Sequence, residues 1–177
     1  MGKKKYLILS IIAVVSVVID QVTKQMAKSL EARPPVVVLE NFWQFTYVEN
    51  KGSAWGLFSG LSEDIRIPFL VGVSIFAIGF IFYFIHKIEE RQPVLLVALG
   101  LILGGALGNF IDRILAGSVV DFILWHYRQY RWPVFNMADV FITIGVVLML
   151  LVMLFSKGEL SIFDHGSEAK PDAPKKS

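Results

Sequence analysis

The sequence predicts an all-α polytopic membrane protein, with four transmembrane helices and a little β-structure outside the bilayer. Three observations carry that prediction. Apolar residues fill 55% of the 177 positions and charged residues only 18%, against roughly 25% charge in ordinary soluble domains. The mean hydropathy is +0.61, more apolar surface than so short a globule can hide from water. The apolar residues also fall into four long runs, each near the about 20 helical residues that cross a hydrocarbon core. The same composition excludes a disordered chain, and a net charge of +2 gives no ground for a nucleic-acid partner. The chain has no Cys, which excludes disulfides, thiolate nucleophiles and Cys-ligated metals and leaves the redox compartment open.

The first run meets Asp20, Gln21 and Lys24, and spans residues 6–26 only if the helix continues through them. Its basic start at Lys3, Lys4 and Lys5 also fits a secretory signal peptide. Ala27 and Ser29 offer a poor cleavage site, which favours a retained helix. The second span covers 67–86, the third 94–112, ending at Asp112-Arg113, and the fourth 139–156, starting at Asp139. Four spans put both ends on one side, together with Lys87, Arg91 and Lys157. The positive-inside rule then makes both termini cytoplasmic. Trp43, Trp55, Trp125 and Trp132, with Tyr47, Tyr127 and Tyr130, fall in the two outer loops, as residues that favour the headgroup layer should. Residues 36–48 are β-branched and aromatic around Glu40-Asn41, which predicts a short hairpin or curled sheet. The polar stretch 159–177 reads as a disordered cytoplasmic tail without chemistry.

Charge inside a bilayer costs about 2.5–3.5 kcal/mol on insertion scales, so the acids and bases at the outer helix ends need a reason. Asp20 and Lys24 stand four apart in the favourable order for a helical ion pair; they make the first helix tolerable near the interface or they touch a ligand. Gly100, Gly104 and Gly108 recur every fourth residue, the spacing of close helix packing. Asn109, Asp112 and Arg113 share one broad helix face, where Asp112 and Arg113 neutralise each other or pair with Asp20 and Lys24. A structural network is the plainer reading of this group.

Asp121, in VVDF, and Asp139, in FNMAD, have no adjacent Lys or Arg, and a separation of 18 positions leaves room to converge. Two carboxyls in contact cannot both ionise readily. The charged one can activate water, and the protonated one can polarise a carbonyl and later protonate a leaving amine, the two roles that peptide hydrolysis needs. The plain alternative is that Asp139 only caps the fourth helix. His86, His126 and His165 have no metal-ligand spacing, and Ser53 has no visible base. A small proton-coupled transporter and a non-catalytic assembly factor built on the glycine stripe remain as readings from other classes.

At these motifs the sequence resembles the lipoprotein signal peptidase (signal peptidase II) family. The resemblance runs in order through DQVTK (Asp20, Lys24), ENKGSAWGLF (Asn50, Gly52, Ala54, Trp55), GNFIDR (Gly108, Asn109, Asp112, Arg113), VVDF (Val120, Asp121) and FNMAD (Phe135, Asn136, Ala138, Asp139). It implies a single membrane-embedded peptidase domain over 1–158, with a small extracytoplasmic β-cradle at about 36–58. It also implies a periplasmic crossing loop or helix near residues 125–132. The implied activity is an aspartic endopeptidase of the bacterial cytoplasmic (inner) membrane that cuts diacylglyceryl prolipoproteins just before the lipidated Cys. Asp121 and Asp139 would be its dyad. Asp20, Lys24, Asn50, Gly52, Asn109, Asp112, Arg113, Val120, Asn136 and Ala138 would bind substrate or shape the site. The resemblance implies no metal and no cofactor, membrane lipid and prolipoproteins as partners, and a working monomer.

Overall fold

The computed structural model describes residues 3–52, 60–87 and 92–155. Its elements run α1 (Lys3–Ala27), β1 (Val36–Leu39), β2 (Trp43–Asn50), α2 (Glu63–Lys87), α3 (Pro93–Ala116), β3 (Val119–Tyr127), β4 (Tyr130–Arg131) and α4 (Met137–Phe155). All four helices are long and apolar enough to cross a membrane, as expected. Ser53, Ala54, Trp55, the rest of the expected cradle to residue 58, and the tail 159–177 lie outside the described residues.

The helices do not share burial equally. α3 packs against α1, α2 and α4, and about half of its apolar stretch is buried, while α2 packs along α3 and meets α1 near one end, where Lys5 Nζ donates to the Ile85 carbonyl at 3.2 Å and Tyr6 pairs with His86. Glycine makes this central place possible. A Cβ on Gly100 would fall 2.8 Å from Ile12 Cγ2, and one on Gly104 2.8 Å from the Ala13 carbonyl oxygen. The stripe is therefore a seam where α1 and α3 approach closely. Leu9, Ala13, Leu96, Leu99 and Leu103 continue that contact as a buried core shared with Ile81 and Ile85 of α2.

The hairpin forms where the β-branched run predicts it, with Asn41 at φ 59° in its turn. Residues 119–127, a loop by the sequence expectation, instead form the longest strand, and β1-β2-β3-β4 make one antiparallel sheet. The reason is burial on both faces. Val119 to Leu124 are all buried, so the alternation that marks a half-exposed strand is missing. Gly117 starts this strand by ending α3 at φ 68°, its N–H donating to the Arg113 carbonyl. β2 carries one extra residue between Phe45 and Val48 relative to β3, a bulge that restores the register Val48 opposite Asp121. The 125–132 stretch folds back as a tight turn at Arg128 (φ 54°), closed by Trp132 N–H donating to the Trp125 carbonyl at 2.8 Å.

Candidate active site

Strand alternation aims Asp121 one way and its neighbours the other. Asp121 faces a cavity of about 820 Å³, whereas Val120 and Phe122 pack back over Ala27 at the end of α1. The returning chain is then sewn to β3. Phe135 N–H donates to the Ile123 carbonyl (3.0 Å), and its own carbonyl accepts from Phe122 N–H (3.0 Å) and Ile123 N–H (2.8 Å). This stitch sets Asn136 beside Asp121 and starts α4 there.

Asn136 is the pivot of the site. Its Oδ1 accepts from Asp139 N–H and its own N–H donates to Asp139 Oδ2, both at 3.1 Å. That is a reciprocal capping box at the N-terminus of α4. Its Nδ2 meanwhile donates to Asp121 Oδ1 at 2.6 Å and to Asn109 Oδ1 at 3.1 Å. Asp139 is thus a helix cap and a wall of the cavity at once. One fully buried asparagine holds both carboxyls. Asn50 Nδ2 takes the other oxygen of Asp121 at 2.9 Å, and Asn50 Oδ1 accepts from Gly52 N–H. Asn109 Nδ2 takes the other oxygen of Asp139 at 3.0 Å.

Both carboxyls are dressed mainly by amides, with no ion pair to either among the described residues. Asp121 is 3% exposed. Burial pushes its carboxyl up to about 7, against the pull of the Asn50 amide, and the nearby charge of Asp139 pushes the same way. A carboxyl poised there can hold a proton near neutrality.

A second layer stands behind this one. Lys24, 2% exposed, spends its three donors on Asp20 Oδ2 (2.8 Å), Asp112 Oδ2 (2.9 Å) and Asn109 Oδ1 (2.9 Å). Asn109 Oδ1 therefore accepts from both Lys24 and Asn136, which turns its NH2 toward Asp139. Asp20 Oδ1 accepts from Ala138 N–H at 2.8 Å, and Asp112 Oδ2 from Val120 N–H at 3.3 Å. The two acids thereby anchor the backbone beside Asp139 and Asp121.

Of the residues singled out in the sequence, Asn50, Gly52, Asn109, Arg113, Asp121, Asn136 and Asp139 line the cavity. Asp20, Lys24, Asp112, Val120 and Ala138 do not; they support it from behind. Asp112 joins Lys24, but Arg113 forms no ion pair among the described residues and turns toward Ser74 Oγ at 3.4 Å. Neighbouring helical positions diverge by about 100°, so one broad face splits between α1 and α2. Two residues were missed. Gln21 Nε2 donates to Asp112 Oδ1 (2.9 Å) and to Asp20 Oδ2 and the Gly108 carbonyl (both 3.2 Å); its place beside Asp20 was the only signal. Arg66 lines the cavity from α2; a lone cation in a helix's first turn, against the dipole, was the clue. Among the described residues, no three His, Asp or Glu side chains converge as metal ligands.

The chain is similar to known proteins. A family model described as signal peptidase II matches residues 12–155. The lipoprotein signal peptidase of Symbiobacterium thermophilum is 41% identical over 84% of this chain and 96% of its own. That of Aquifex aeolicus is 39% identical over 89% and 92%. Two solved chains described as bacterial membrane enzymes superpose with a TM-score of 0.72 each. They are 37% and 38% identical, and the match covers 84% and 83% of this chain and 90% and 92% of theirs. With four spanning helices, the small sheet and a family match over most of its length, this chain belongs to the signal peptidase II family of multi-pass bacterial membrane proteins.

Proposed function

We propose that this protein is an aspartyl-type endopeptidase that removes the signal peptide from diacylglyceryl-modified prolipoproteins, cutting just before the lipidated Cys. The observation that carries the reading is Asn136, which binds Asp121 and Asp139 together at the wall of one cavity. Asp121, raised by burial, is the member that keeps a proton at rest and polarises the scissile carbonyl. Asp139, held by Asn109 and the Asn136 N–H, is the charged member that takes a proton from the attacking water. The tetrahedral intermediate collapses as a proton passes to the leaving amine. The amide donors hold both carboxyls in place without neutralising them, which an ion pair would do.

The placement suits a lipid-modified substrate. α1 and α3 end, and α2 and α4 begin, at the end of the bundle that carries the sheet. With both termini cytoplasmic, that end faces outward, where the acyl chains stay in the bilayer and the peptide bond lies near water. The protein works as a monomer in the cytoplasmic membrane.

The test is purified protein in detergent with a synthetic diacylglyceryl precursor. The expected product is a mature peptide beginning at the lipidated Cys, formed without a partner and lost in Asp121→Asn and Asp139→Asn proteins that still fold. Full activity in either variant would overturn the dyad, and a product cut elsewhere would overturn the cleavage point.

A further inference from the structure

Arg66 belongs to none of the motifs, yet it lines the cavity from the first turn of α2. It is 5% exposed. Its stem lies against Gly52, where a Cβ would fall 2.7 Å from Arg66 Cδ; the glycine is what lets the arginine reach in. The head group is weakly held. Nη2 donates to Glu63 Oε1 at 3.2 Å, a carboxylate 64% exposed that also attracts Lys51 at 3.5 Å. Nη1 reaches the Leu61 carbonyl only at 3.4 Å, beyond good hydrogen-bond range. Nε is buried and has no partner among the described residues. Lys24, equally buried, has every donor filled.

A buried donor without an acceptor costs free energy, and the α2 dipole adds to that cost. A ligand that brings an acceptor into the cavity removes it. The resident carboxyls do not serve: among the described residues the Arg66 head group reaches Glu63 and the Leu61 carbonyl, and neither Asp121 nor Asp139. A guanidinium offers a fixed fork of N–H groups suited to carbonyl oxygens. We infer that Arg66 is a substrate-binding residue, donating from its unfilled Nε–H to a carbonyl oxygen that the precursor carries into the cavity. The inference rests on the peptidase reading. Two parts of the precursor carry such oxygens: the peptide backbone and the ester links of the acyl chains.

Arg66→Met keeps the stem and removes the donors; Arg66→Lys keeps the charge without the fork. Steady-state cleavage is measured on the diacylglyceryl precursor and on its dialkyl-ether analogue, which lacks ester carbonyls. The expected result for Arg66→Met is a KM raised roughly tenfold on the diacylglyceryl precursor with kcat held within about twofold, an unchanged thermal midpoint, and partial recovery in Arg66→Lys. An equal rise on the ether analogue assigns the peptide carbonyl; a rise confined to the ester precursor assigns the acyl ester. An unchanged KM on both substrates overturns the inference, as does a loss seen only in kcat and thermal midpoint. If wild type cleaves neither substrate, the peptidase reading fails instead. Arg66 is then judged by precursor binding to Asp139→Asn protein with and without Arg66→Met, where equal affinity overturns its role.

Discussion

Two clusters of acids sit one layer apart in this molecule and live by opposite rules. Behind the cavity, Asp20 and Asp112 share Lys24 and Gln21, with every oxygen engaged and no face on the cavity. At the cavity wall, Asp121 and Asp139 are held by asparagine amides and one backbone N–H. A cation fixes a buried carboxylate in its charged form. An amide fixes its position and leaves its proton free to come and go. The rear cluster anchors backbone, while in the front one burial leaves Asp121 able to hold a proton near neutrality.

Conservative substitutions break the comparison first. Asp121→Asn and Asp139→Asn should each lose about 10³-fold or more in cleavage rate, given the about 10²–10⁴-fold usual for one acid–base group, while thermal unfolding moves little. Lys24→Met should do the reverse: it strands two buried carboxylates at a cost of about 3–5 kcal/mol, read as a large fall in the unfolding midpoint. The triple change Asp20→Asn, Lys24→Met, Asp112→Asn should regain part of that fall. If Lys24→Met stays fully stable yet inactive, the rear cluster belongs to the chemistry after all.

Gly108→Ala tests the close approach between the layers. Its Cβ would fall 3.0 Å from the Asp20 carboxyl carbon, and an overpacked contact of this kind costs about 1–3 kcal/mol, checked by thermal unfolding in detergent. A further test is a pH slope. Asp121 is raised from 3.8 to about 7 in the fold, so between those values the native state binds more protons than the unfolded chain. Stability should therefore fall as pH rises through that window, and Asp121→Asn should flatten the slope. A wild-type midpoint that does not fall from pH 4 to 7 would remove the buried-proton account.

The helices were legible because hydrocarbon demands length and apolarity, and the first hairpin because Val36 to Val38 and Asn41 carry strand and turn chemistry. The acid pair stood out through the lack of cations beside it. β3 was not legible, since a strand buried on both faces has no alternation, and its apolar letters resemble any buried segment. Nor could spacing show that Asp112 and Arg113, adjacent in sequence, turn to different helices. Arg66 emerges only when α2 is laid against the loop after β2, because its meaning lies in what Gly52 leaves vacant.

Asn136 performs two tasks at once: it starts α4 together with Asp139 and it grips Asp121. Exchanging it for Ser preserves a helix start but drops the arm to Asp121; exchanging it for Asp sets a third acid against the other two. Winding the first turn of α4 is therefore the same event as assembling the cleft, and a chain that folds this helix imperfectly has no half-built version of its chemistry to fall back on.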